Sequence, residues 1–151
     1  TDRHYRDSDE DARDGLYSSA SVLVTHYVAN RTVGLQAGAG WMHFDADDDR
    51  FGYSGPDLLA GVIWEAWQNG LVYARVNFRG YDFDGVDPFF LVNERDDDEW
   101  RYTLGFQHDY RQGLLEKWSL IGNWIHTDNR SNVQVFDYDR DVFNLGLARQ
   151  F

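Results

Sequence analysis

A chain of 151 residues is long enough for one domain, and its 42% hydrophobic and 17% aromatic content excludes disorder. A formal net charge of −12 argues against a nucleic-acid partner, because a phosphate-binding surface needs clustered Lys and Arg. Without cysteine there can be no disulfide, thiolate metal site or Cys nucleophile, and no run approaches the ~18 apolar residues of a membrane helix.

Residues 1–15 hold little that can be buried and read as a loop. A first strand is expected over 16–28, where Ala20, Val22 and Val24 alternate with Ser19, Ser21 and Thr25. Ala29, Asn30 and Arg31 form a tight turn into a second strand over 32–44, with Val33, Leu35, Ala37, Ala39 and Trp41 opposite Gly34, Gln36, Gly38 and Gly40. An acidic loop, 45–56, ends at Pro56 and leads to a third strand over 58–67, apolar on both faces apart from Glu65. Its parity stays open.

Gln68, Asn69 and Gly70 give the strongest hairpin signal, since Asn-Gly accepts the positive φ angles of a two-residue turn. The fourth strand, 71–82, sets Val72, Ala74, Val76 and Phe78 against Tyr73, Arg75, Asn77, Arg79 and Tyr81. A long loop over 83–98 contains the apolar knot Pro88, Phe89, Phe90 and Leu91. The fifth strand, 99–110, alternates most cleanly: Trp100, Tyr102, Leu104, Phe106, His108 and Tyr110 against Arg101, Thr103, Gly105, Gln107 and Asp109. A turn at 111–113 opens a sixth strand, 114–126, whose aromatic face carries Trp118, Leu120 and Trp124. After a loop at 127–139 the last strand alternates Phe143, Leu145 and Leu147 with Asn144, Gly146, Ala148 and Gln150, and ends on Phe151.

The pattern is therefore all-β, antiparallel and up-and-down, with about seven strands in a single domain spanning 1–151. Alternation alone fits a soluble meander barrel with a greasy interior as well as a membrane barrel with a greasy exterior. Bulk decides between them, because Trp100, Tyr102, Phe106, Trp118, Trp124 and Phe143 would overfill a small interior. Short turns interleave with long acidic loops, and strands of 11–13 residues match a tilted crossing of a ~25 Å apolar band. These signals predict a transmembrane β-barrel.

The last stretch resembles the terminal strand of bacterial outer-membrane β-barrels, which is amphipathic and ends on an aromatic residue read by the barrel-assembly machinery. Phe151 is the matching residue, and Arg149 departs from the apolar or aromatic third-last position. The stretch from Arg95 through Trp100, Asn129 and Tyr138 to Phe151 also resembles the carboxy-terminal barrel of surface lipoprotein assembly modifiers and related tetratricopeptide-bearing exporters. The resemblance implies a Gram-negative outer membrane, contact with membrane lipid and lipopolysaccharide, and protein export as the class of function.

Read from the residues, the expected function is a porin-like pore or export conduit whose lumen is lined by Arg75, Arg79, Arg101, Lys117, Glu65 and Asp109. Trp100, Tyr102, Phe106, Trp118, Trp124, Phe143, Leu145 and Leu147 would face lipid. The alternatives are an anchor or adhesion barrel with a filled lumen and, further off, a lipid hydrolase pairing His26 with Ser19 or Ser21, or His126 with Ser119. No cofactor is expected. No metal site is expected either: the acidic run from Asp45 has Arg50 and Pro56 where a calcium-binding EF-hand needs Gly and Glu. Seven is an odd count, and an open sheet in lipid leaves backbone groups unpaired. The barrel is thus expected to be completed by an upstream region or a second chain, with residues 1–15 extracellular and Phe151 periplasmic.

Overall fold

The computed structural model describes residues 2–3, 14–86, 89 and 93–149. They form one antiparallel up-and-down sheet: a two-residue strand β1 (Asp2–Arg3), then β2 (Gly15–Val28), β3 (Val33–Ala46), β4 (Tyr53–Trp67), β5 (Gly70–Phe83), β6 (Asp96–Tyr110), β7 (Trp118–Ser131) and β8 (Tyr138–Arg149). Each strand pairs only with its neighbours in sequence, and no α-helix occurs among the described residues. Among the described residues the sheet is not closed: β8 has no partner beyond β7, and β1 covers only Gly15 and Leu16 of β2.

One set of side chains runs across the whole sheet on one face. Register aligns Val24, Ala37, Ala60, Val76, Tyr102 and His126 in one row and Val62, Ala74, Leu104, Trp124 and Phe143 in the next. The opposite face carries Gln36, Arg75, Arg79, Arg101, Asn123 and Asn144. This resolves β4, whose Leu58, Ala60, Val62 and Trp64 join the apolar face, whereas Asp57, Leu59, Gly61 and Ile63 join the polar one. A register shift between Trp64 and Trp67 then returns Trp67 to the apolar side, opposite Gly70.

The two faces differ in exposure. Phe143 and Leu145 on the apolar face are 77% and 76% exposed, while Gln36, Glu99, Ser119, Thr127 and Asn129 on the polar face are buried. The sheet therefore curls toward its polar side, which is concave. A small apolar core lies at one end of that concave face, where Met42 and Phe44 are buried and Tyr53 packs against Phe44, Tyr81 and Phe83 at centroid distances of 5.6, 5.2 and 5.6 Å.

Gly105 and Gly122 are among the glycines required by close approach. Tyr73 lies over Gly105 on the concave face and Phe106 over Gly122 on the convex face, so a Cβ at either glycine would meet the ring at 2.3 or 2.4 Å. In each case the aromatic ring covers backbone that a glycine would leave open.

Strand ends depart from the sequence expectation. β4 starts at Tyr53, not 58, because Pro56 interrupts only the ladder toward β5, and β3 pairs through it at Trp41. β6 starts at Asp96 and β7 runs on to Ser131, so Asp96, Asp97, Asp98, Thr127 and Asn129 lie in strands where loops are expected. Backbone pairing continues past the apolar band because ladder hydrogen bonds do not depend on apolar side chains. The turn after β6 is longer than 111–113: Gly113–Leu115 forms a 3-10 turn, Lys117 adopts φ 67°, and its N–H reaches the Tyr110 carbonyl at 3.0 Å.

Strict interleaving of short and long connections is consequently not observed, since the 47–52 and 132–137 links are as short as the 111–117 turn. Charge separates the two ends instead. The 47–52, 84–95 and 132–137 links share the acidic end, and the Ala29–Arg31, 68–69 and 111–117 turns share the other. Arg3 and Gly15 also meet at the acidic end, where Asp2–Arg3 is paired strand, not loop. Of the apolar knot, Pro88, Phe90 and Leu91 lie outside the described residues, as do residues 4–13, Gln150 and Phe151, while Phe89 is exposed.

Candidate functional site

Three rows of the concave face, near the acidic end, hold most of its charge. The first row runs Asp57, Arg79, Glu99, Asn129 and Tyr138; the second runs Asn77, Arg101, Thr127 and Arg140; the third places Gln36 two strands from Arg75 across Gly61. Alternation alone brings these residues to one face, because successive side chains of a strand point to opposite sides.

Hydrogen bonds knit the rows laterally. Arg101 donates to Glu99 at 3.1 Å, and the Tyr138 hydroxyl donates to the second Glu99 oxygen at 3.2 Å. Arg79 Nε stands 3.3 Å from Asp57 Oδ2, close enough for an ion pair but not aligned for a hydrogen bond. Arg75 Nε donates to Gln36 Oε1 at 3.1 Å across the missing side chain of Gly61, and its guanidinium sits 5.4 Å from the Tyr73 ring. Neither Arg75 nor Arg140 has a carboxylate partner among the described residues.

At the opposite end a hollow of about 680 Å³ is lined by Glu65, Gln68, Gln107, Asp109 and Arg111. Asp109 accepts from Gln107 at 2.8 Å and from Ser119 at 2.7 Å. Of the six residues expected to line a lumen, Arg75, Arg79, Arg101 and Asp109 share the concave face. Glu65 borders it beside the register shift, and Lys117 lies in the adjoining turn.

The convex face carries two aromatic clusters with an aliphatic band between them. Toward the acidic end Phe78 packs on Trp100 at 4.9 Å, Trp100 stacks near Tyr102, and Tyr102 and Trp124 flank His126 at 6.1 and 6.0 Å. Trp124 donates to Asp141 at 2.8 Å, and His126 Nδ1 lies 3.1 Å from the same oxygen. Toward the turn end Trp67 donates to His108 Nδ1 at 3.0 Å, His108 meets Tyr110 edge-on at 4.7 Å, and Arg149 lies 5.7 Å over Trp118. Leu104, Phe106, Leu145 and Leu147 occupy the band between. All eight residues expected on the greasy side are therefore on one face.

Parity removes the hydrolase pairings. His26 is on the convex face with Leu35, whereas Ser19 and Ser21 are on the concave one; His126 and Ser119 are likewise on opposite faces. No cluster of three metal-ligating side chains occurs among the described residues. In the acidic 47–52 link, Asp48 is engaged by Arg50, whose Nε is 2.9 Å from Oδ1 and whose backbone N–H is 3.0 Å from the same oxygen. Those bonds hold its carboxyl at about 2. Their support for the link is present above the ordinary carboxylate range and is lost as pH falls through about 2.

Thr127 went unnoticed in the sequence because it falls in a segment that reads as loop. It is 0% exposed, and its hydroxyl has no hydrogen-bond partner among the described residues. Thr127→Val is expected to raise stability by about 1 kcal/mol, because it removes a buried unsatisfied group without changing shape. The unfolding midpoint in urea reports it, and a comparable loss would show that the hydroxyl is satisfied.

The fold and face chemistry define an open, curved β-meander with a polar concave and an apolar convex surface. The chain belongs to the family described as Protein of unknown function (DUF2860), whose model matches residues 4–149. No curated protein and no solved structure matches it.

Proposed function

We propose that this sheet is part of the wall of a β-barrel in a bacterial outer membrane, with lipid on its convex face and a water-filled lumen on its concave face. The inverted burial carries the proposal: large apolar side chains stay exposed while polar ones are covered. In water such a convex surface would drive association, whereas lipid removes the penalty. Spacing agrees. Trp100 and Tyr110, one from each aromatic cluster, are ten residues apart on β6, which is ~34 Å along a strand and ~26 Å vertically at a tilt of roughly 40°, close to the ~25 Å apolar band of such barrels.

The biochemical role we propose is a pore or conduit. A filled lumen needs long side chains reaching across it, whereas the concave side has a run of small residues in the middle of β2 and β3, at Ser19, Ser21, Gly38 and Gly40, and at the end of β8, at Gly146 and Ala148. The ion pairs run along the wall instead of away from it. Protein export, implied by the resemblance to surface lipoprotein assembly modifiers, would be one use of such a conduit. Lipid, lipopolysaccharide and the barrel-assembly machinery are the partners in this reading. So are further strands, since unpaired edges at β2 and β8 would each cost several kcal/mol per exposed backbone group in lipid.

Reconstitution in planar bilayers tests the role. Stepwise ion conductance is expected, and folded, inserted protein that conducts nothing would favour a structural anchor.

A further inference from the structure

We propose that the concave face makes the lumen selective for anions, with Arg75 and Arg140 as the residues that set the selectivity and small inorganic or carboxylate anions as the solutes favoured. The inference rests on the pore reading. It starts from a contrast: the chain has a formal net charge of −12, yet the three charged rows of its concave face set four guanidiniums, those of Arg75, Arg79, Arg101 and Arg140, against only two carboxylates, those of Asp57 and Glu99.

Pairing sharpens the contrast. Asp57 and Glu99 are engaged by Arg79 and Arg101, and Tyr138 also donates to Glu99. Arg75 is oriented by a neutral amide, Gln36, and Arg140 stands exposed on β8 with no carboxylate partner among the described residues. The acidic residues responsible for the net charge lie elsewhere: Asp45, Asp82, Asp96, Asp98, Asp128 and Asp139 belong to the convex parity at the acidic end. Near that end, Asp97 is paired with Arg95. Within these rows sheet parity thus sorts the two signs and leaves Arg75 and Arg140 uncompensated; the concave Asp109 lies at the opposite end, where it accepts from Gln107 and Ser119. Arg75 and Arg140 are three strands apart, ~14 Å at the usual strand spacing, so their fields overlap at about 0.01 M salt, where the Debye length is about 30 Å. Charge of one sign in a narrow, low-dielectric passage concentrates counter-ions there.

Bilayer recording under a potassium chloride gradient tests this. Protein extracted from membranes in detergent should give pores several-fold more permeable to chloride than to potassium, with the preference shrinking in 1 M salt, where the Debye length is near 3 Å. The Arg75→Gln, Arg140→Gln double variant should bring the ratio close to one. Arg130→Gln, on the convex parity and 77% exposed, should leave it unchanged. Pores that prefer potassium, or that keep their chloride preference in the double variant, overturn the assignment while leaving the pore intact. Inserted protein without conductance overturns both.

Discussion

Arg95→Met is expected to cost about 3 kcal/mol of stability, among the largest effects of any single replacement at the acidic end. Asp97 is 3% exposed, and its carboxylate is held by the Arg95 guanidinium, with Nε 2.9 Å from Oδ1 and the second contact closer still. That guanidinium is stacked between two rings, 4.4 Å from Phe83 and 3.5 Å from Phe136. Removing one partner of a covered ion pair strands the other charge, which costs about 3–5 kcal/mol when burial is complete. Arg95 keeps a quarter of its side chain in solvent, which places the effect at the lower end.

Asp97→Asn should cost less, because it removes the stranded charge along with the pair. The double variant should cost less than the two singles together. Urea unfolding of the four proteins measures all three expectations. A loss below about 1 kcal/mol for Arg95→Met would mean that solvent screens the pair as it does on an ordinary surface.

Leu145→Arg gives the second large effect. Leu145 sits in the middle of the convex aliphatic band, beside Gly122 and near Phe106. For a chain whose convex face meets water, so exposed a residue should tolerate arginine within about 0.5 kcal/mol. In a bilayer the same change places a guanidinium near the midplane and costs about 2–4 kcal/mol. Asn144→Arg, one residue away on the concave face, should be tolerated far better, losing chiefly its bond to Asn123. Folding yield into lipid vesicles, compared for the two variants, is the readout; equal yields would remove the argument for a lipid-facing surface.

Much of the fold could be read from the residues because alternation is a local signal. In β6 and β8 every other side chain is bulky and apolar, and both strands took the predicted parity. β4 was opaque because Leu58, Leu59, Ala60, Val62 and Ile63 are apolar on both sides. Only cross-strand register assigns them. Strand ends were opaque for a different reason: side-chain composition marks the apolar band, whereas the ladder continues beyond it. The buried polar residues Asp97, Thr127 and Asn129 lie on those extensions, so sequence reading left them in loops. Leu114 and Leu115 misled in the opposite direction. They read as the start of a strand but stand exposed in the turn shaped by Gly113 and Lys117 at positive φ.

The charged rows were half visible. Alternation gave Arg75, Arg79 and Arg101, but Arg140 lay too close to an expected loop to be placed. The partners Gln36, Asp57, Glu99 and Tyr138 come from other strands that only register brings alongside.

The absence of native cysteine permits a direct test of which face meets lipid. Single cysteines at Leu104 and Thr103, adjacent on β6 and on opposite faces, can each carry a nitroxide spin label in the protein reconstituted into vesicles. Electron paramagnetic resonance power saturation then compares collision with oxygen, which concentrates in lipid, and with a water-soluble nickel chelate. The account predicts that the label at 104 collides mainly with oxygen and the label at 103 mainly with nickel. A label at 104 as open to nickel as the label at 103 would contradict a lipid-facing convex surface.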